Sequence, residues 1–194
     1  MTSRHSRPSP DTVRLVEENL LTLCQLKDMV GSLSPDIYQQ AFGEHGRHTL
    51  GKHVRHIIDH YDALLEGLDR GGEVIDYEQR RRDEALEQWP QQAASHLVGI
   101  ESRLSVLGGE PSSAALTLAY PLDEERLSLA SSLDRELAFL TSHSIHHMAI
   151  IALLAEQSGI HLPETFGVHP STLRHWQRAS EEQVPLSPLS RRSA

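Results

Sequence analysis

Residues 49–64 read TLGKHVRHIIDHYDAL, and residues 142–154 read SHSIHHMAIIALL. In and just after the first, Leu50, Val54, Ile57, Tyr61, Leu64 and Leu68 step by four and three residues in turn. That spacing lines apolar side chains along the seam of a helix packed on antiparallel neighbours. The second continues a helix that begins after Ser131 or Ser132, either of which can cap it, with the seam Leu133, Leu137, Leu140, Ser144, His147, Ile151 and Leu154. Ser158-Gly159 ends it, and Pro163 prevents its resumption.

Two further helices follow from the same periodicity. From Asp11, the residues Val13, Val16, Leu20, Leu23 and Val30 recur at helical steps, with Leu26 and Met29 beside them, until Gly31. Around Glu84 to Leu107 the stripe is Ala93, Leu97, Ile100, Leu104 and Leu107, and Pro90 either starts this helix or kinks it. Between them, Ser34-Pro35-Asp36 starts a short helix, Gly43 to Gly51 is a loop, Thr49 caps the second main helix and Arg70-Gly71-Gly72 closes it. Over residues 114–131 the period changes to two: Leu116, Leu118 and Tyr120 alternate, PLDEE turns, and Leu127 and Leu129 alternate again. The expectation is an all-α fold, a four-helix bundle with a small β-hairpin inserted before the fourth helix. A single domain spans 11–182, with a short helix near 170–181, a disordered start over 1–10 and a disordered Pro/Ser tail over 183–194.

A chain of 194 residues with 38% hydrophobic content suits one domain with a core that needs no covalent staples. Cys24, the single cysteine, excludes an internal disulfide framework. With 18 Lys and Arg against 27 Asp and Glu the net charge is −9, which disfavours a nucleic-acid binder. The longest apolar run, Met148 to Ala155, falls far short of a bilayer span, and the first ten residues contain no apolar signal segment. A soluble cytoplasmic protein, without membrane or nucleic-acid partners, is expected.

Histidine is the anomaly: of 13, six lie in the two quoted stretches. His143 and His147 stand four apart on one helical face, the spacing at which a helix offers two imidazoles to one metal ion. His147 falls on the seam and His146 off it. His53, His56 and His60, at i, i+3 and i+7, form one strip beside the seam of the other helix. Imidazole suits zinc, nickel, iron or copper, and a catalytic site needs about three protein ligands and an open position. The same histidines would also serve as hydrogen-bonded core or interface residues.

With these motifs in this order, the chain resembles the DinB-like superfamily of four-helix proteins, over roughly Asp11 to Gly159. That superfamily includes bacillithiol- and mycothiol-dependent transferases. Its pattern pairs one histidine on the second helix with H-x3-H on the fourth. The resemblance implies a divalent zinc, nickel or iron ion on His56, His143 and His147, with His60 as the alternative on the second helix. Thr49, Leu50 and Asp59 fit the pattern around His56. It further implies activation of a low-molecular-weight thiol for transfer to an electrophile or for isomerisation. Where many members continue with Arg-Gly after the second histidine of the pair, this chain has Met148-Ala149. The alternative is a non-catalytic, metal-binding, dimeric, stress-associated bundle.

Around this constellation, Glu136 and Asp59 are candidate catalytic carboxylates, able to orient an imidazole or act as a general base. Glu136 would equally serve as a helix-start glutamate and Asp59 as an exposed helix residue. Arg80 and Arg82 in IDYEQRRRDEALEQ are candidates to clamp a thiol's carboxylate, or members of a solvated loop. Cys24 reads as a small core residue. Leu15, Leu21, Ile150 and Leu153 widen the apolar arcs of their helices, which points to a homodimer.

Overall fold

The computed structural model describes residues 9–69, 74–79, 81–109, 115–123 and 125–182. The segment 1–8, Arg70-Gly71-Gly72, Arg80 and the tail 183–194, each read above from sequence, lie outside the described residues.

Ser9 caps helix α1, Pro10–Gly31, and Ser34 caps the single turn α2, Pro35–Tyr38, each with proline at the start. The Thr49 hydroxyl accepts from the Lys52 amide at 2.9 Å, so α3, Leu50–Asp69, begins where its cap residue predicts. The expected third helix is divided. Asp83 caps α4, Glu84–Gln88; Trp89 is extended, and Pro90 starts α5, Pro90–Leu107. Pro90 is therefore a start signal, since the residue before proline is driven out of the helical region.

Strands β1, Ala115–Leu122, and β2, Glu125–Ser132, form the expected hairpin, with Leu118 opposite Leu129 and Tyr120 opposite Leu127. Ile75 hydrogen-bonds the outer side of β1, donating to Thr117 and accepting from Ala119, both at 2.8 Å. Ser132 caps α6, Leu133–Gln157, through a hydrogen bond from the Arg135 amide. Helix α7 spans Pro170–Glu182.

Among the described residues the protein is thus mostly helical with one two-stranded antiparallel hairpin. Helix α1 packs on α5 and α6, and α3 packs on the same two. The core draws Leu23, Leu26, Val54, Ile57, Leu64, Leu97, Leu104, Leu137, Leu140 and Ile151 from all four long helices. By length and composition α6 could cross a membrane, but Leu137, Leu140, Met148 and Ile151 pack inside the protein, as in a core helix.

Its buried line departs from the expected seam at His147. It runs Leu140, Ser144, Met148, Ile151, and His147 stands beside it, half-buried. A helix wedged between α1 and α3 buries a wider arc than one seven-residue seam, so i+4 from Ser144 is the inward step rather than i+3.

Polar groups fix the register of these helices. Asn19, fully buried on α1, donates to the carbonyls of Leu15 and Leu137. Its own carbonyl accepts from the Tyr61 hydroxyl at 2.7 Å, and Ser144 lies 3.4 Å from that hydroxyl. One network therefore ties α1, α3 and α6 together at positions next to His60 and His143. Gly51 permits a second close approach: a Cβ there would lie 2.0 Å from the Glu87 carbonyl oxygen, so α4 can rest on α3 only over a glycine.

Candidate metal centre

The register set by Tyr61 and Ser144 turns the two histidine stretches toward each other. His53, His56 and His60 on α3 face His143 and His147 on α6. The rings alternate in a zigzag: His53 to His147 is 5.3 Å between centroids, His147 to His56 4.4 Å, His56 to His143 5.0 Å, and His143 to His60 4.0 Å.

Ring nitrogens of His56, His60 and His143 all lie within 4.8 Å of one another, so these three could hold a metal ion. Two imidazole nitrogens on one tetrahedral zinc stand about 3.4 Å apart, so each ring needs to close by under roughly 1 Å. The His60 Nδ1 lies 2.8 Å from the carbonyl oxygen of His56. A carbonyl only accepts, so this nitrogen carries a proton, and in the neutral ring Nε2 is then the nitrogen with the lone pair.

His147 packs against both His56 and His143, at 4.4 and 4.7 Å between ring centroids, and its Nδ1 lies 3.0 Å from Nδ1 of His53. Burial, then the neighbouring His143, His53 and His146, push the His147 pKa down to about 3. Burial likewise lowers that of His53, with His48 and His146 adding to the effect. Both rings are neutral at neutral pH, the state in which imidazole ligates.

The candidate carboxylates take other places. Glu136 is fully buried and accepts from the Tyr77 hydroxyl at 2.7 Å, from Arg135 at 2.8 Å and from Ser131. It sits one position past the place of a capping-box glutamate, which Arg135 occupies after the Ser132 cap. Glu136 reaches the cluster through Tyr77, whose ring stacks on His60 at 5.2 Å. Burial, followed by the bond to Glu136, drives the Tyr77 phenol far above its usual range, so it remains a donor. Asp59 is buried, not exposed, and lies 3.9 Å from Arg55 one turn back.

Arg82 is exposed at a positive φ of 50° just before α4. Its neighbour Arg81 pairs with Glu66 at 2.7 Å and lines a groove of about 670 Å³ between α3 and α5. None of the clustered histidines lines that groove, where His96 bonds Asp62 at 2.8 Å and Arg103 bonds Asp69 at 2.6 Å. Cys24 is exposed on α1 rather than a core residue, and burial and nearby Asp28 raise its thiol pKa.

Sequence reasoning missed three contributors. Phe139, four residues before His143 and on the same face, packs on it at 5.5 Å. Tyr77 arrives from a loop, and His48, stacked on His53 at 5.5 Å, lies outside the helical period. The i−4 spacing of Phe139 was a usable signal; the loop residues carry none.

No protein-family model matches the chain, and no solved structure does. Over 105 residues the chain is 29% identical to FK506-binding protein 5 of Rhizopus delemar, a match covering 53% of this chain and 27% of that protein. The chain thus spans about a quarter of the length of that curated relative.

Proposed function

We propose that this protein is a divalent-metal-dependent enzyme of the DinB-like type, a four-helix bundle whose ion sits between α3 and α6. The observation that carries the reading is the convergence of His56, His60 and His143, from two stretches separate in sequence, on one volume. His56 and His143 are shared by this set and by the DinB-like set, and His60 and His147 flank them as the further donors. All are imidazoles, a donor set suited to zinc, nickel or iron rather than magnesium or calcium.

Held there by neutral imidazoles, a divalent ion would keep its full positive charge and would lower the pKa of a bound low-molecular-weight thiol, the chemistry that makes a nucleophile at neutral pH. The chain's own residues orient this chemistry. The His56 carbonyl fixes the His60 tautomer, Tyr77 and Phe139 wall the cluster on the His60 side, and Glu136 holds Tyr77 in place. Cys24 takes no part.

The test is elemental analysis of protein loaded with zinc or nickel and then desalted. Wild type is expected to hold about one ion per chain, and the His56→Ala/His143→Ala double variant almost none. Equal metal content in the two refutes the site. Thiol conjugation, assayed with bacillithiol, mycothiol, glutathione and coenzyme A against monochlorobimane, should then require metal and stop on chelation.

A second reading, a non-catalytic metal-binding dimer, is favoured by Leu21 and Leu153, which are 63% and 61% exposed. It predicts rates no higher than the uncatalysed reaction across the panel, and a dimer mass by light scattering.

A further inference from the structure

His53 belongs to neither candidate ligand set, yet it reaches across from α3 to the second histidine of the H-x3-H pair on α6. Its Nδ1 lies 3.0 Å from Nδ1 of His147, a residue 94 positions away. The two rings tilt at 39° to each other, while the remaining neighbour of His53, His48, stacks nearly parallel at 8°. The other nitrogen of His53, Nε2, is buried without a hydrogen-bond partner among the described residues. The contact with His147 is therefore the hydrogen bond that defines how the His53 ring sits.

The chemistry of that contact is restrictive. Between two imidazole nitrogens at hydrogen-bond distance one proton is shared, so one ring donates and the other accepts. If His147 donates from Nδ1, its Nε2 keeps the lone pair, and that ring packs against His56 and His143. His53 then accepts at Nδ1 and carries its proton on Nε2. This is the relation in which the second nitrogen of a ligating histidine is held by an outer partner that sets tautomer and ring orientation. For His60 the outer partner is the His56 carbonyl.

We propose that His53 is a positioning residue for His147: its Nδ1 accepts from His147 Nδ1 and fixes that imidazole with Nε2 presented to the His56–His143 pair. The inference rests on the reading that the histidine cluster binds a divalent metal. It takes His147 as one of the ligands, as the DinB-like pattern implies, and adds that His53 acts through it.

The experiment uses the full-length chain and cobalt(II) as the probe, with affinity from competition against a chelating dye and the visible absorption band as the signature of the ligand field. His53→Ala is expected to bind cobalt about 10–100-fold more weakly, the usual effect of losing an outer partner, and to shift the band. His53→Asn places an amide oxygen near the position of Nδ1, still able to accept from His147, and should recover most of the affinity and the wild-type band. His147→Ala should lose more than His53→Ala. Thermal unfolding of the metal-free variants tells whether each is folded. If His53→Ala does not fold, the Asn variant decides: affinity and band like wild type support the proposal, and loss of either overturns it. Affinity of His53→Ala within twofold of wild type overturns it, as does a loss as complete as that of His147→Ala, which would make His53 itself a ligand. Unchanged cobalt binding by His147→Ala overturns it while leaving the metal reading intact. A wild type that takes up no cobalt overturns both.

Discussion

Replacing Tyr61 with phenylalanine removes one oxygen from a place that admits no substitute. The Tyr61 ring is fully buried, and burial drives its phenol well above the usual range, so the hydroxyl keeps its proton and is a donor at neutral pH. It donates to the carbonyl oxygen of Asn19, also fully buried, at 2.7 Å. In Tyr61→Phe the ring still fills its space and no cavity opens, but the Asn19 oxygen loses its donor, and Ser144, 3.4 Å away, loses an acceptor. A buried acceptor left unsatisfied costs about 1–3 kcal/mol. The Ser144 contact is too long to add much. For a chain of this size, ~2 kcal/mol corresponds to a fall in Tm of about 4–8 °C. The assay is urea unfolding followed by circular dichroism, with Asn19→Leu and the double variant completing the cycle. The double variant should be less destabilised than the sum of the singles, because with both partners removed no Asn19 oxygen is left without its donor. A Tyr61→Phe protein within 0.5 kcal/mol of wild type would refute the reasoning. Because Tyr61 and Ser144 adjoin His60 and His143, Tyr61→Phe should also weaken metal binding, modestly, through helix register.

Three other outcomes are expected. Gly51→Ala forces a Cβ to within 2.0 Å of the Glu87 carbonyl oxygen and should destabilise by about 1–3 kcal/mol, read by the same unfolding assay. His96 has its pKa raised, chiefly by its hydrogen bond to Asp62, so this pair's stabilisation is full below the unfolded value near ~6.5 and is lost as pH rises through the elevated folded value. The side chain is 39% exposed, so the effect is small and salt-sensitive, and His96→Gln should flatten that part of the stability–pH profile. Cys24→Ser should leave metal content and thiol-transfer rate unchanged, since the thiol is exposed and its pKa is raised; loss of activity in that variant would overturn the metal-centred mechanism.

Helix limits were legible where the chain announces them locally. Ser34 and Thr49 supply cap oxygens, Pro35 and Pro90 stand at helix starts, and the alternation of Leu116, Leu118 and Tyr120 gives the strand. The facing of His56 and His143 was not legible from periodicity, because it depends on how α3 and α6 rotate about their axes. That rotation is fixed by Asn19 on a third helix. The same limit explains Met148: a seam drawn through His147 treats α6 as packed on one neighbour, whereas it is packed on two. Glu136 illustrates the hardest case. Its burial is made tolerable by Tyr77, Ser131 and Arg135, and the nearness of Tyr77, 59 positions away, leaves no trace in spacing.

The zigzag of rings also has a meaning for folding. His56 and His143 stand on helices far apart in sequence, so an ion shared between α3 and α6 would be a reversible cross-link closing a little under half of the 194-residue chain into a loop. Unlike a disulfide, this staple works by mass action: it adds stability in proportion to the logarithm of free metal over the dissociation constant. The gain is trimmed by whatever the unfolded chain binds, and two histidine-rich stretches would retain some affinity after unfolding. Removing metal should therefore loosen α6 from α3 before it unravels either helix, and hydrogen exchange should fade first along the line where the two stretches meet.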